Sequence, residues 1–484
     1  MKSWQMFFIA CSTMGLFAAC GDDDPGPPDA SGLDAGAPDA GAPDAGPLQR
    51  TIPAADKLDI LFVVDETSGM AEAQRRLVAD LPALFDRLQG QAGLPDLHVG
   101  IVSTSLVGHP NIPGCRPADS DDGELQFAFA PAEPACADGT LAIDGNFLRD
   151  APAAAGARET NYTGELTQVL SCMIPLGEDG CGFEQPLAAM RRAFENPVNA
   201  GFLRTDAVLA VVFLAGEDDC SAMNTDVFDP AIVGPDSLLG PLSSFRCFEF
   251  GVECTPDDAR ALGEKYECAP RQDSEYMFAV DELVSSLAGI KPDPQQIVVA
   301  GILGMNPAAP DAPLVVVERE PMLGGNFFAL EPACQLTDGA GTVVADADPA
   351  VRLRAFLDAF PGRNALATIC GQELSGALDG VGALFSRAVD QRWCLSQDVD
   401  RAPGTPGIQH ACQVRELRYQ EGSVVSETPL AACSSDTPAA GELPCWQLAA
   451  PSARCQGDAP VELVIRRDQA PADGSLIEIR CDPA

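Results

Sequence analysis

The sequence predicts an α/β protein in which a mostly parallel sheet is covered by helices on both faces, followed by a small Cys-rich, β-rich C-terminal module. Three observations predict it. The runs Ile60–Val64 and Ala207–Leu214 are continuously apolar and rich in β-branched and aromatic residues, as strands buried on both faces are. Segments with helical stripes alternate with such strands, which argues for parallel strands joined by crossover helices. After about Asp390 the helical periodicity fades, and six cysteines fall among short alternating pieces.

Taken in chain order, Leu58–Val64 is the first strand. Ala71–Gln89 follows as a helix with Leu77, Leu81, Leu84, Phe85 and Leu88 on one stripe, and Pro82 inside it implies a kink or restart. Leu97–Ser103 is the second strand. Residues 104–161 are irregular and carry Cys115 and Cys136. Gly164–Ile174 and Glu184–Phe194 are expected as helices, and Ala207–Leu214 as the central strand. A Cys-rich excursion runs to about Arg271. Ser274–Leu287 has helical spacing of Met277, Val280, Val284 and Leu287. Ile297–Leu303 is a strand, Ala350–Phe360 a helix, Ala365–Cys370 a short strand and Leu374–Val389 the last helix. In the tail, Gln413–Tyr419 and Val461–Arg466 are the clearest strands.

The 484 residues carry a formal charge of −41, which disfavours direct contact with nucleic acid, since phosphate recognition needs a basic face. The first residues form an address. Lys2 precedes an apolar run from Trp4 to Ala19, ending Leu16-Phe17-Ala18-Ala19-Cys20, a signal-peptide pattern with small residues before the cut. A Cys directly after that pair resembles a bacterial lipobox, although Phe17 stands where Leu is usual. Residues 1–19 are therefore expected to be a lipoprotein signal peptide and Cys20 the lipidated residue. Residues 20–50, with their Asp-Ala-Gly-Ala-Pro repeats, cannot bury a core and are expected to be an extended tether. Apart from Cys11 and Cys20, sixteen cysteines remain. An even count in an exported chain argues for up to eight disulfides, whose pairing the spacing leaves open.

The chemistry-bearing segment is Ile60-Leu61-Phe62-Val63-Val64-Asp65-Glu66-Thr67-Ser68-Gly69-Met70, a buried strand emptying into a loop of carboxylates and hydroxyls. Open α/β sheets place ligands at such carboxyl ends, and Asp65 and Thr67 can both face one hard cation. The segment resembles the opening of a von Willebrand factor type A (vWA) domain, a Rossmann-like sheet whose metal-ion-dependent adhesion site begins D-x-S-x-S. The resemblance implies that Asp65 and Thr67 take the first two ligand positions, with Ser68 displaced by one from the second Ser, where Gly69 stands. In the loop that should supply a Thr, Gly180–Pro186, Glu184 is the only strong oxygen ligand. After the central strand stand Ala215-Gly216, then Glu217-Asp218-Asp219, so Asp218 or Asp219 would complete the set.

These readings give domains at 51–390 (vWA-like, with Cys-rich insertions) and 391–484 (disulfide-rich). They also give a function: a bacterial, lipid-anchored protein of the cell envelope, at the outer membrane or cell surface, that binds a protein partner. Ca2+ or Mg2+ at an altered adhesion site would mediate that contact. Two alternatives stay open, a structural envelope protein without a working metal site and a calcium-assisted carbohydrate-active enzyme. The sequence holds no G-x-S-x-G, H-E-x-x-H or Walker loop and only three histidines, so no catalytic role is expected.

Overall fold

The computed structural model describes residues 47–482 except 90–92, 113, 118–119, 130–135, 137–138, 235–236, 320–326, 396–398, 403–404, 406, 421, 453–454 and 456–460. Cys20 and the signal and tether segments up to residue 46 lie outside the described residues. Residues 45–484 form one compact unit.

The main sheet has seven strands: β2 (Lys57–Val64), β3 (Asp96–Ser103), β5 (Leu148–Pro152), β6 (Arg158–Thr160), β8 (Val208–Ala215), β11 (Ile297–Leu303) and β16 (Asn364–Thr368). Their spatial order is β16-β11-β8-β2-β3-β5-β6. The first five in that order are parallel; β5 and β6 extend the edge antiparallel. Chain connections run one way from β2 and the other way from β8. The gap between the carboxyl ends of these two strands is therefore the switch point at which such sheets bind ligands.

Helices cover both faces. The alternation of β2 decides which residue faces which side. Ile60, Phe62 and Val64 pack with α1 (Ala71–Gln89), α2 (Leu166–Met173) and α7 (Ser375–Asp390). Leu61 and Val63 pack with α3 (Pro186–Glu195), α5 (Val280–Ala288) and α6 (Val351–Asp358). A further short helix, α4 (Phe245–Gly251), lies in the excursion after β8. Helix α1 runs unbroken through Pro82, which sits on the exposed side of the helix. The segment Ser274–Leu287 departs from its helical spacing. Its helix starts only at Val280, because Tyr276 and Phe278 bond the backbone of Ser221, Met223 and Asn224 instead.

Most insertions are β. Strands β9 (Val252–Thr255), β10 (Gly263–Pro270), β12 (Leu314–Arg319) and β13 (Phe327–Leu330) form a sheet of order β13-β12-β10-β9. Two-stranded pairs are made by β4 (Ala142–Ile143) with β7 (Tyr162–Thr163), and by β14 (Cys334–Thr337) with β15 (Val343–Ala347). At the C-terminus, β1 (Leu48–Pro53), β23 (Ser475–Cys481), β18 (Cys412–Gln420) and β19 (Ser423–Pro429) form one sheet. A second has the order β17 (Cys394–Leu395), β22 (Val461–Arg466), β21 (Cys445–Ala449) and β20 (Ala431–Ala432). The two share a core that includes Ile52, Trp393, Trp446, Ile477 and Ile479.

Ionic contacts fix this core to the α/β sheet. Lys57 bridges Asp206 at 2.9 Å and Asp473 at 2.7 Å, and Arg50 meets Asp293 at 2.6 Å. All sixteen cysteines are paired: Cys115–Cys181, Cys136–Cys172, Cys220–Cys247, Cys254–Cys268, Cys334–Cys370, Cys394–Cys455, Cys412–Cys481 and Cys433–Cys445. Peptide mapping of the unreduced protein should recover these eight pairs. The last three close entirely within the tail, and any bridge from the tail to the α/β region contradicts this arrangement. Each bridge contributes about 2–4 kcal/mol, so reduction should unfold the tail at lower denaturant than it unfolds the main sheet.

Candidate functional site

The site lies at the carboxyl ends of β2, β3 and β8. Asp65 directly follows β2, and its amide donates to Leu214 O on β8 at 2.9 Å. Its carboxylate is fully buried and held on both oxygens. Oδ1 accepts from the Thr67 amide at 2.9 Å and the Thr67 hydroxyl at 2.6 Å; Oδ2 accepts from the Gly216 amide at 2.9 Å. Burial pushes its pKa up, and these hydrogen bonds pull against the shift. A Cβ at Gly216 would stand 2.8 Å from Met70 Sδ, so a larger residue there would have to displace the Met70 side chain.

The loop before α3 is stitched to three others. Gly180 N–H donates to Glu66 O at 3.0 Å, and a Cβ on Gly180 would lie 2.5 Å from Glu66 Cγ. Cys181 N–H donates to Ser105 Oγ at 2.8 Å, Gln185 N–H to Thr104 O at 3.0 Å, and Cys220 N–H to Glu184 O at 2.8 Å. This stitching turns Glu184 inward. The residue is 1% exposed, and neither carboxyl oxygen has a hydrogen-bond partner among the described residues. Its neighbour in space is Glu217. The Glu217 carboxyl is enclosed although the residue as a whole is only half-buried.

The two carboxyls are close enough to share a proton. Burial raises the Glu184 pKa far above the carboxylate range, and the charges of Glu217 and Asp65 add to the effect. Glu217 is pushed up to about 8 by burial, then by Asp348 and Asp65. Around them, burial lifts Glu66 to about 7 and Asp348 to about 6. A cavity of about 60 Å3 adjoins the pair, with Glu184, Glu217 and Asp348 on one side and Phe245, Phe248 and Phe328 on the other.

The acids that follow Glu217 do something else. Asp218 accepts from the Arg352 and Leu353 amides at 2.9–3.1 Å, so it caps α6. Burial still raises its pKa to about 6. Asp219 accepts from the Leu187 amide at 3.1 Å in the first turn of α3 and pairs with Arg352 at 3.0 Å, both side chains wholly buried. Arg352 also donates to the carbonyls of Asp219, Gly251 and Phe278. Removing one member of such a buried pair costs about 3–5 kcal/mol.

Of the six ligands expected from sequence, the fold thus gathers Asp65, Thr67 and Glu184. Ser68 is exposed on the loop, and Asp218 and Asp219 have their oxygens committed to helix ends and Arg352. Glu217 and Asp348 join the cluster. Glu217 lies past the end of β8, where strand alternation no longer says which side a residue faces. Asp348 enters because its amide donates to Gly216 O at 2.8 Å, far along the chain and behind a β insertion. Among the described residues, no three His, Cys, Asp or Glu side chains stand together at metal-ligand spacing. A cation there would need hydroxyl or water oxygens as well. Thr67 suits that need, because its proton is given to Asp65 and its lone pairs stay free.

No family model matches the chain, and no curated protein matches it. Among solved structures it is similar to the pilus adhesin SpaC of Lactobacillus rhamnosus GG in its open conformation, at 7% identity and a TM-score of 0.28, covering 88% of this chain and 38% of that one. It is also similar to the pilus adhesin RrgA of Streptococcus pneumoniae, at 10% identity and a TM-score of 0.26, covering 90% and 58%. The chain therefore spans less than two thirds of either adhesin, and at these TM-scores the likeness carries no argument about fold or function.

The raised carboxyls predict a pH dependence. A carboxyl that keeps its proton above the usual range holds more protons folded than unfolded, so stability falls as pH climbs from about 4.5 to the folded-state value. Glu66 and Glu217 carry that fall up to about pH 7 and 8. His98, held below its ordinary value by burial, acts oppositely at about pH 6.5 and below. In chelator, the melting temperature should drop by a few degrees between pH 6.5 and 8, and Glu217→Gln should flatten the slope. A melting temperature that climbs over that range in the wild type contradicts protonated carboxyls.

Proposed function

We propose that this is an exported, lipid-anchored envelope protein whose vWA-like sheet binds a protein partner through a divalent cation at the carboxyl end of β2. The observation that carries the reading is Glu184. It is buried, and among the described residues its carboxyl meets no cation and no donor other than a proton shared with Glu217, with the charge of Asp65 also acting on it. Burying an uncompensated carboxylate is expensive, and either a cation or a shared proton removes the cost. Asp65, Thr67, Glu184 and Glu217 are the candidate oxygens for Ca2+ or Mg2+, with Ser68 at the mouth; since no three carboxyls among the described residues stand at ligand spacing, a cation would take only some of them and complete its shell with water. Calcium tolerates irregular oxygen cages.

The strand order supports the same reading. With the antiparallel edge strand β5 counted third and β6 set aside, the strands lie as 3-2-1-4-5-6, the order of doubly wound sheets, with Asp65 and Gly216 flanking the switch point. When bound, the cation supplies an open coordination position. A partner's Asp or Glu carboxylate fills it, so the reaction is binding rather than catalysis. The chain's own part is to fix Asp65 through Gly216 and to keep Glu184 dry. The Glu184–Glu217 contact favours one other reading, a structural envelope protein in which the shared proton replaces the metal.

The two separate on melting. With cation, binding to the native state alone adds about 2.7 kcal/mol at a hundredfold excess over Kd. The wild type should therefore melt several degrees higher in millimolar Ca2+ or Mg2+ than in chelator. Asp65→Ala and Glu184→Gln should both abolish that rise, and Glu184→Gln should itself melt no lower than the wild type in chelator, since it removes a buried acid. An unchanged wild-type melting temperature sinks the cation and leaves the structural reading.

The anchor rests on the run ending Ala18-Ala19-Cys20 and is tested apart from the site. Stable attachment needs more than one acyl chain, which a lipidated N-terminal Cys provides. Replacing Cys20 with Ala should move the protein from the membrane fraction to the soluble one; retention in membranes contradicts it.

A further inference from the structure

The excursion after β8 builds a second concave surface that the cation site does not use. Its backbone is wrapped around Arg246, which is 1% exposed and donates to the carbonyls of Val227, Asp229, Ile232, Gly240 and Pro241. Arg260 fixes the next turn, donating to the Ser237 and Leu238 carbonyls at 3.0 Å and pairing with Glu249 at 2.8 Å. Disulfides Cys220–Cys247 and Cys254–Cys268 close the frame. On this fixed backbone Leu238 is 71% exposed, the most exposed large apolar side chain among the described residues. A single exposed leucine is ordinary on a protein surface; this one gains its meaning from the groove beside it.

Leu238 stands on the wall of a groove of about 720 Å3, a volume suited to a ligand or peptide segment. Phe250 and Tyr276 form an aromatic wall, their rings 4.9 Å apart and edge-on. Glu249, Asp257, Asp258, Asp273 and Glu275 surround it, against only Arg260 and Arg271. Arg260 is spent on Glu249 and two carbonyls, and Arg271 lies 3.6 Å from Asp257. Asp273 and Glu275 are exposed carboxylates with no ion pair among the described residues. Helix α4 divides this groove from the small cavity, since Phe245 and Phe248 line the cavity while Glu249 and Phe250 line the groove.

We propose that the groove binds an extended peptide segment of a partner protein that carries lysine or arginine on either side of a leucine-like residue. The apolar side chain packs between Leu238 and the Phe250–Tyr276 pair. The flanking cations meet Asp273 and Glu275, and the aromatic faces give them a second attraction.

The test is fluorescence anisotropy on the full chain in chelator at physiological salt, which silences the cation site. The probe is a labelled Gly-Lys-Leu-Lys-Gly peptide, compared with Gly-Gln-Leu-Gln-Gly and Gly-Lys-Ser-Lys-Gly. The first should bind, and the other two should bind at least about tenfold more weakly. Leu238→Ser, and separately Asp273→Asn with Glu275→Gln, should each weaken the first peptide at least about fivefold, as loss of an interface anchor does. Glu373→Gln with Asp379→Asn, exposed acids before and within α7, should leave it unchanged. The proposal is overturned if the peptide does not bind, or if the serine peptide binds as well as the leucine one. It is equally overturned if the distant pair of substitutions weakens binding as much as the groove pair, which is general attraction to a chain of charge −41.

Discussion

The adjacent acids Asp218 and Asp219 are the constraint on which the upper half of the sheet depends. They follow β8 by a few residues, and they reach two different helices. Asp218 takes the first amides of α6; Asp219 takes an amide of α3 and the guanidinium of Arg352. Arg352 then reaches Gly251 and Phe278, tying the end of α4 and the approach to α5 to the same point. Helix N-termini carry partial positive charge and unsatisfied N–H groups, so carboxylates are the natural occupants of this position. The β8 segment thus satisfies two helix ends and one buried cation with two consecutive side chains.

That arrangement also explains why the neighbouring acids differ in character. Asp65 is buried but receives three donors. Asp218 and Asp219 receive amides and an arginine. Glu184 and Glu217 receive no cationic partner among the described residues. Burial above all keeps protons on them, helped at Glu184 by the charges of Glu217 and Asp65 and at Glu217 by those of Asp348 and Asp65. The contrast identifies the place where the fold leaves electrostatic free energy uncompensated. Perturbed carboxyls of this kind make such a place a candidate for function.

Two of the disulfides serve the same end of the sheet. Cys115–Cys181 ties the long segment after β3 to the loop that orients Glu184, and Cys220–Cys247 ties the end of β8 to α4. An irregular segment of this length has many conformations to lose, and a bridge removes part of that loss from the unfolded state. The frame around Leu238 is built likewise, with arginines in place of a core: Arg246 and Arg260 supply donors to carbonyls that no helix or sheet satisfies.

By itself, the sequence determined the parallel strands and their covering helices, the cysteine-stapled tail and the position of Asp65. Each of these is a local signal. Apolar runs such as Ala207–Leu214 mark burial on both faces, and the stripe on α1 outweighed Pro82 because the proline lies on the exposed side. Only the tertiary structure decided what depended on distant partners. Leu48–Pro53 pairs with Ser475–Cys481, and Gly263–Lys265 pairs with Leu314–Val316; neither is marked by a turn or a local period. Residues 274–279 have helical spacing but give their backbone groups to Ser221, Met223 and Asn224. At the site, the sequence pointed to Asp218 and Asp219 and passed over Glu217. Which of the three faces Glu184 is fixed by where α3 and α6 begin, because a helix end claims whichever carboxylate its amides reach first.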